Sequence, residues 1–278
     1  MSRRLVVVLD TATEVTSVGL GWLEGGPAGS ATPVPRAVLV DASVVDAHRA
    51  AMSRLLPTLE SLLADNGLTV DEVADVIVGR GPGSFTGVRI GVATAKGLAH
   101  GLGAPLFGVG TLDAIAWNNA DSDGLLGVVG DAMRGEVYPA LFECEGGRAR
   151  RLAADRVGKQ ADVAREWAEL DRPMLLAGNG LRKYRDAFAE ALGARATFAA
   201  EERWSPTAAG LLAAYLEAVA AGALGDGDPG AVLPIYTRLS DAEEAEVARV
   251  SAGPAEPGAQ PGSGPTVPGS GVAGAGPR

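Results

Sequence analysis

Cysteine is almost missing from this chain: Cys144 stands alone among 278 residues. A single thiol closes no intramolecular disulfide and suits a reducing compartment. Histidine occurs only as His48 and His100. Neither has a carboxylate or a second histidine at ligand spacing, so the chain alone builds no mononuclear zinc or iron site of the usual type. Basic residues are outnumbered, 24 Lys and Arg against 34 Asp and Glu, for a net charge of −10. That balance excludes a broad nucleic-acid surface unless a basic partner supplies it. Long apolar runs are absent as well. Arg3-Arg4 is followed by the short run Leu5–Leu9 and then Asp10, which is too brief for a signal peptide or a membrane span. A cytoplasmic protein is expected. Nor is a nucleophile with its base visible, since Ser84 in G-P-G-S-F-T-G does not stand in a G-x-S-x-G elbow.

Apolar residues make up 47% of the chain, ample for a core. Glycine is plentiful and concentrated. The segment from Val76 to Val109 reads as strand, glycine loop, helix, strand, with Gly79, Gly81 and Gly83 in the loop. Ser84 or Thr86 offers the N-cap oxygen for a helix running to about Leu102. Within it Gly87, Gly91, Ala95 and Ala99 recur every four residues and so share one stripe. Two mid-helix glycines cost roughly 1 kcal/mol each relative to alanine, which something must offset. Three readings fit. The loop holds a phosphate at the helix N-terminus, the stripe docks a partner helix, or the glycines let the helix lie close on its own sheet.

Leu5–Leu9 reads as a buried strand, Thr16–Leu23 as its hairpin return and Arg36–Asp41 as a third strand. Gly25–Pro35 is a Gly/Pro-rich loop. Asp46–Asn66 has Met52, Leu55, Leu56, Leu59, Leu62 and Leu63 at helical spacing, with Pro57 inside it and Gly67 as its stop. The first 109 residues therefore run β-β-β-α-β-α-β. That is the order of the ribonuclease-H-like fold, which actin-like proteins duplicate. A weaker copy follows. Leu125–Val129, Glu136–Glu143 and Arg148–Ala153 read as strands, Gln160–Glu169 as a helix, Pro173–Ala177 as a strand and Leu181–Leu192 as a helix. Ser205 caps, and Pro206 opens, a last helix to Ala221. The expected α/β architecture is a duplicated ribonuclease-H-like, actin-like ATPase fold with two subdomains. Residues 1–109 with the returning helix 205–221 form the first and residues 110–204 the second. An extension over 222–250, including the extended Pro234–Arg238, precedes a disordered Gly/Pro-rich tail over 251–278.

Asp10-Thr11-Ala12-Thr13 ends the first strand, where an aspartate can hold a metal through water and threonines can donate to a phosphate. With Gly81, Gly83 and Ser84 these residues are a candidate vestigial nucleotide site. A plain turn held by Asx and Thr hydrogen bonds explains the same tetrapeptide. Asp131, in G-D-A-M-R-G-E-V-Y, is either a second phosphate-loop acid or part of an exposed hairpin turn.

D-T-A-T-x-x-x-S-V-G-L over 10–20, G-R-G-P-G-S-F-T-G-V-R-I-G-V-A-T-A-K-G-L over 79–98 and G-V-G-T-L-D-A-I-A over 108–116 resemble the TsaB (YeaZ) family. D-A-M-R-G-E-V-Y and P-I-Y-T-R-L-S-D-A agree more loosely, Met133 standing where the family pattern leads one to expect arginine. The likeness covers most of residues 4–242. It implies a non-catalytic partner of TsaD in the complex that attaches a threonylcarbamoyl group to the adenosine beside the tRNA anticodon. In that system TsaC supplies threonylcarbamoyl-AMP and TsaE is an ATPase that joins the complex. Where the TsaD pattern has a His-x-x-x-His metal pair, this chain has Thr111 and Ile115. The resemblance implies a heterodimer with TsaD, contact with TsaE, a homodimer when alone, and tRNA contact only through the complex. It implies no cofactor for this chain, ATP and metal belonging to the partner subunits. The partner interface expected is Met52, Leu55, Leu56 and Leu59 on one helix with Gly87, Val88, Gly91 and Ala95 on the other. The rival from a different class is a small actin-like kinase using Asp10, Thr13 and the 81–84 loop.

Overall fold

The computed structural model describes residues 3–25, 36–46 and 51–237. His48, residues 26–35 of the Gly/Pro-rich loop and the tail over 251–278 lie outside the described residues.

Strands β1 (Arg3–Asp10), β2 (Val15–Glu24) and β3 (Arg36–Asp46) form an antiparallel meander. Helix α1 (Ala51–Asp65), strand β4 (Val73–Gly79), helix α2 (Phe85–Leu102) and strand β5 (Leu106–Val109) complete a sheet ordered β3-β2-β1-β4-β5, with β4 parallel to β1 and to β5. Helix α3 (Thr111–Trp117) leads into the second sheet. There β6 (Gly124–Asp131), β7 (Glu136–Glu145) and β8 (Arg148–Arg151) repeat the meander, with the short β9 (Gly158–Lys159) beside β7. Helix α4 (Gln160–Ala168), strand β10 (Met174–Ala177), helix α5 (Leu181–Leu192) and strand β11 (Ala196–Phe198) follow. The order β11-β10-β6-β7-β8 matches the first sheet strand for strand, again with the crossover strands parallel. The duplicated fold expected from the sequence is present.

Continuous apolar strands need cover on both faces. On one side of the first sheet, Leu5, Val7 and Leu9 pack with Leu55, Leu59, Leu62 and Leu63 of α1 and Val88, Val92, Ala95 and Ala99 of α2. On the other side, Val6 and Val8 pack with Leu211, Leu212 and Tyr215 of the last helix, α6 (Ala208–Ala220). Leu112 and Ile115 of α3 join the core of the second sheet, with Val163 and Trp167 of α4 and Phe188 of α5. The late helix thus packs back on the first half, as expected.

Two local expectations are corrected, and one element is new. Strand β3 continues to Asp46, because pairing with β2 runs through to Val15↔Asp46, and the helix after it begins at Ala51. Helix α6 is capped by Thr207, whose hydroxyl accepts from Gly210 N at 3.1 Å, and not by Ser205. Helix α3 has no counterpart in the sequence reading, its seven residues being too short for a helical period to stand out. Ser84 does cap α2, accepting from Gly87 N at 3.2 Å, and Gly103 closes that helix at φ +65°.

The expected interface needs the largest correction. Leu55, Leu59, Gly87, Val88, Gly91 and Ala95 are all buried within the monomer. The glycines admit Thr11, just past the end of β1: its hydroxyl donates to Gly87 O at 2.6 Å, and a Cβ on either Gly87 or Gly91 would run into Thr11. Close seating on its own sheet offsets the propensity cost of these glycines. Of the expected interface residues, only Met52 and Leu56 are exposed, at 74% and 44%. The outward side of α2 carries Thr86, Arg89, Ala93, Gly97 and His100, and a Cβ on Gly97 or Gly101 would meet open space.

Candidate functional site

Two turns face one another where the strands of each sheet end. In the first, Asp10 closes β1 and is fully buried. Its Oδ1 accepts from Ala12 N at 2.7 Å and its Oδ2 from the Thr111 hydroxyl at 2.6 Å. Thr111 in turn accepts from Gly81 N at 3.0 Å, so one hydroxyl ties β1 to the glycine loop. A Cβ on Gly79 would overlap the Asp10 carboxylate, so glycine there is a steric requirement. Burial, partly offset by the bonds from Thr111 and Ala12, pushes the Asp10 carboxyl up to about 6.

The glycine loop seals the turn from above. Ser84 N donates to Ala12 O at 2.7 Å, and a Cβ on Gly83 would strike the same carbonyl. Gly81 is buried at φ +87°. Ile235 N donates to Arg80 O at 2.7 Å, laying the chain's last described segment along the loop. The candidate nucleotide residues Asp10, Thr11, Gly81, Gly83 and Ser84 therefore do come together. Asp10 and Thr11, however, have their side-chain oxygens engaged internally, and both are buried. Thr13 is half-buried, and its hydroxyl accepts from Val15 N at 3.4 Å. The Asx-turn reading of the tetrapeptide describes what these atoms do.

In the second turn, Asp131 closes β6. Its Oδ1 accepts from Met133 N at 3.0 Å and its Oδ2 pairs with Lys183. Met133 and Arg134 form the hairpin tip with positive φ, 65° and 53°. The hairpin reading holds here.

Glu14 and Asn179 join the two turns. Asn179 Nδ2 donates to Glu14 Oε2 at 2.6 Å, while Asn179 Oδ1 accepts from Asp131 N at 3.1 Å. Arg182 pairs with Glu14 at 3.3 Å and with Glu201 at 2.6 Å. Sequence reasoning misses this bridge, because its members lie 165 residues apart and no motif links them. It also weighs Thr111 only as a missing ligand and not as the partner of Asp10. His100 is exposed at the end of α2. Among the described residues, no group of three His, Cys, Asp or Glu could hold a metal ion. No helix among them is long and apolar enough to cross a membrane.

Comparison with known proteins bears on this geometry. A family model described as "TsaD: tRNA N6-adenosine threonylcarbamoyltransferase" matches residues 45–245. The chain is 33% identical over 190 residues to the tRNA threonylcarbamoyladenosine biosynthesis protein TsaB of Bacillus subtilis, covering 68% of this chain and 80% of that protein. With the Escherichia coli protein of the same name it shares 32% over 185 residues, covering 65% and 74%. The structure of YeaZ from Pseudomonas aeruginosa superposes with a TM-score of 0.65 at 29% identity, over 84% of this chain and 99% of that one. By strand order, motif and extent of match, the chain belongs to the TsaB (YeaZ) family.

Proposed function

We propose that this chain is a non-catalytic scaffold subunit. In this reading it binds TsaD, helps form the site for TsaE, and supports transfer of a threonylcarbamoyl group to N6 of the adenosine next to the tRNA anticodon. The work would take place in the cytoplasm, with tRNA held through the complex. The observation that carries the reading is the outer side of the α1–α2 pair. Met52 and Leu56 of α1 and Phe85 of α2 are exposed at 74%, 44% and 40%, and on the outward side of α2 Ala93 and Gly97 present almost no bulk. Large apolar side chains left on a helix pair beside a small-residue surface suit the close approach of partner helices. A stable complex should bury about 800 Å² on each partner. Alone, two copies would meet through the same side.

A scaffold role agrees with the surroundings of the turn at Asp10. Thr111 and Ile115 stand where the resemblance to TsaD would require imidazoles, and both are buried. A kinase using Asp10 would have to free a carboxylate that already holds two hydrogen bonds.

The two sides of α2 give the test. Gly97→Leu should leave the monomer folded and abolish co-purification with TsaD, whereas Gly91→Leu should unfold the monomer by striking Thr11. Normal co-purification of folded Gly97→Leu protein would refute the docking side. Reconstituted tRNA modification by TsaD, with and without this chain, tests the role itself, and equal rates would refute it.

A further inference from the structure

Arg89 projects from the outer side of α2 and is held in an unusual way. Its guanidinium carbon lies 3.6 Å from the centre of the Phe85 ring, one turn earlier, and 5.6 Å from that of Tyr236. Its Nε donates to the Tyr236 hydroxyl at 2.8 Å. The two rings also touch, with centroids 5.4 Å apart. Tyr236 reaches this place because the preceding chain is tied down: Lys96 Nζ donates to Gly230 O at 3.3 Å, and Ile235 N donates to Arg80 O at 2.7 Å.

This stack buries little. Phe85 and Tyr236 remain 40% and 48% exposed, and Arg89 is exposed as well. Two aromatic rings and a tyrosine hydroxyl fix the plane of one arginine, and among the described residues its two terminal nitrogens make no hydrogen bond or ion pair. A guanidinium held in this way keeps its outward edge, with parallel N–H donors, free for an acceptor of matching shape. Carboxylates fit that edge with two bonds. Ordering the side chain in advance lowers the entropy lost on binding, and aromatic residues with arginine are the types that dominate interface energies.

We infer that Arg89, gripped by Phe85 and Tyr236, receives a carboxylate side chain of the TsaD-type partner. The segment around Tyr236 is thereby part of the docking surface. This inference rests on the proposed docking side of α1 and α2, and extends it to a second stretch of chain and a stated partner chemistry.

Calorimetric titration of the full-length chain with purified TsaD-type subunit tests it, at low salt and at about 0.5 M salt, where screening is strong. Arg89→Ala should raise Kd at least about tenfold at low salt, with a smaller penalty at high salt as screening removes the charge contribution. Arg89→Lys should keep only a minor part of the affinity, since an ammonium group reproduces neither the fork nor the stack. Tyr236→Phe, which loses only the hydroxyl, should weaken binding by less than Arg89→Ala. Parental affinity for Arg89→Ala alongside failure of Gly97→Leu to bind would overturn this inference and leave the docking side standing. Parental affinity for both variants would overturn both. Unchanged affinity for the protein partner with loss of tRNA from the assembled complex would assign Arg89 to a phosphate and overturn the carboxylate. Should Arg89→Ala melt early, Arg89→Lys decides on the same criteria.

Discussion

Asp10 and Asp131 occupy the same place in two sheets of the same strand order, each as the last residue of the central strand. Each accepts a hydrogen bond at Oδ1 from the backbone amide two residues on, at 2.7 Å and 3.0 Å. Their second oxygens differ. Asp10 takes the neutral hydroxyl of Thr111 in a buried setting, whereas Asp131 takes the ammonium of Lys183, which is 50% exposed. Duplication has preserved the turn, and the surroundings have changed what the carboxylate does. Local sequence sets the Asx turn, and chain from elsewhere sets its electrostatics.

The largest test of this contrast is steric. Gly79→Ala should destabilise the protein by roughly 3 kcal/mol, since its methyl group overlaps a carboxylate that cannot withdraw. Adding Asp10→Ala should recover part of the loss, because the two side chains share one space. Chemical denaturation of the single and double variants measures both. Equal stability of Gly79→Ala and the parent would mean that Asp10 is not locked.

A smaller effect is the pH dependence. The Asp10 carboxyl titrates near 6 in the folded chain against 3.8 in its ordinary state. Between those values the folded state holds a proton that the unfolded state has released. The contribution of Asp10 is therefore greatest below pH 3.8 and is lost as pH rises through 6. Between about pH 5 and 7.5 the loss should be about 1.4 kcal/mol, and Asp10→Asn should flatten that part of the stability profile. An unchanged slope in the variant would assign the dependence to another group. The smallest effect belongs to the second sheet. Asp131→Ala removes a pair with an exposed lysine and one turn bond, and should cost about 1 kcal/mol or less. A loss equal to that of the buried turn would erase the contrast between the two aspartates.

Much of the fold is legible because its signals are local. The β-branched run at Leu5–Leu9, the Ser84 cap and the glycine after Leu102 each act within a few residues. The stripe on α2 is legible as a stripe, but reading it as a partner surface points it the wrong way. The sequence does hold the corrective signal: Val88 and Val92 flank the glycines, while Arg89, Lys96 and His100 lie across the helix. An apolar arc centred on the small residues points inward. The pairing of Thr111 with Asp10 and of Asn179 with Glu14 is not legible. Those bonds span 101 and 165 residues, and only the closed fold brings them within reach.

The placement of α6 has a consequence for how the chain is made. The ribosome releases all five strands of the first sheet early, yet the helix that covers Val6 and Val8 is drawn from residues 208–220. Until those residues emerge, one apolar side of an otherwise finished sheet lacks the helix that supplies most of its cover, Ala114 of α3 being there beforehand. Synthesis of the second half is thus also the interval during which the nascent first half most needs protection from aggregation.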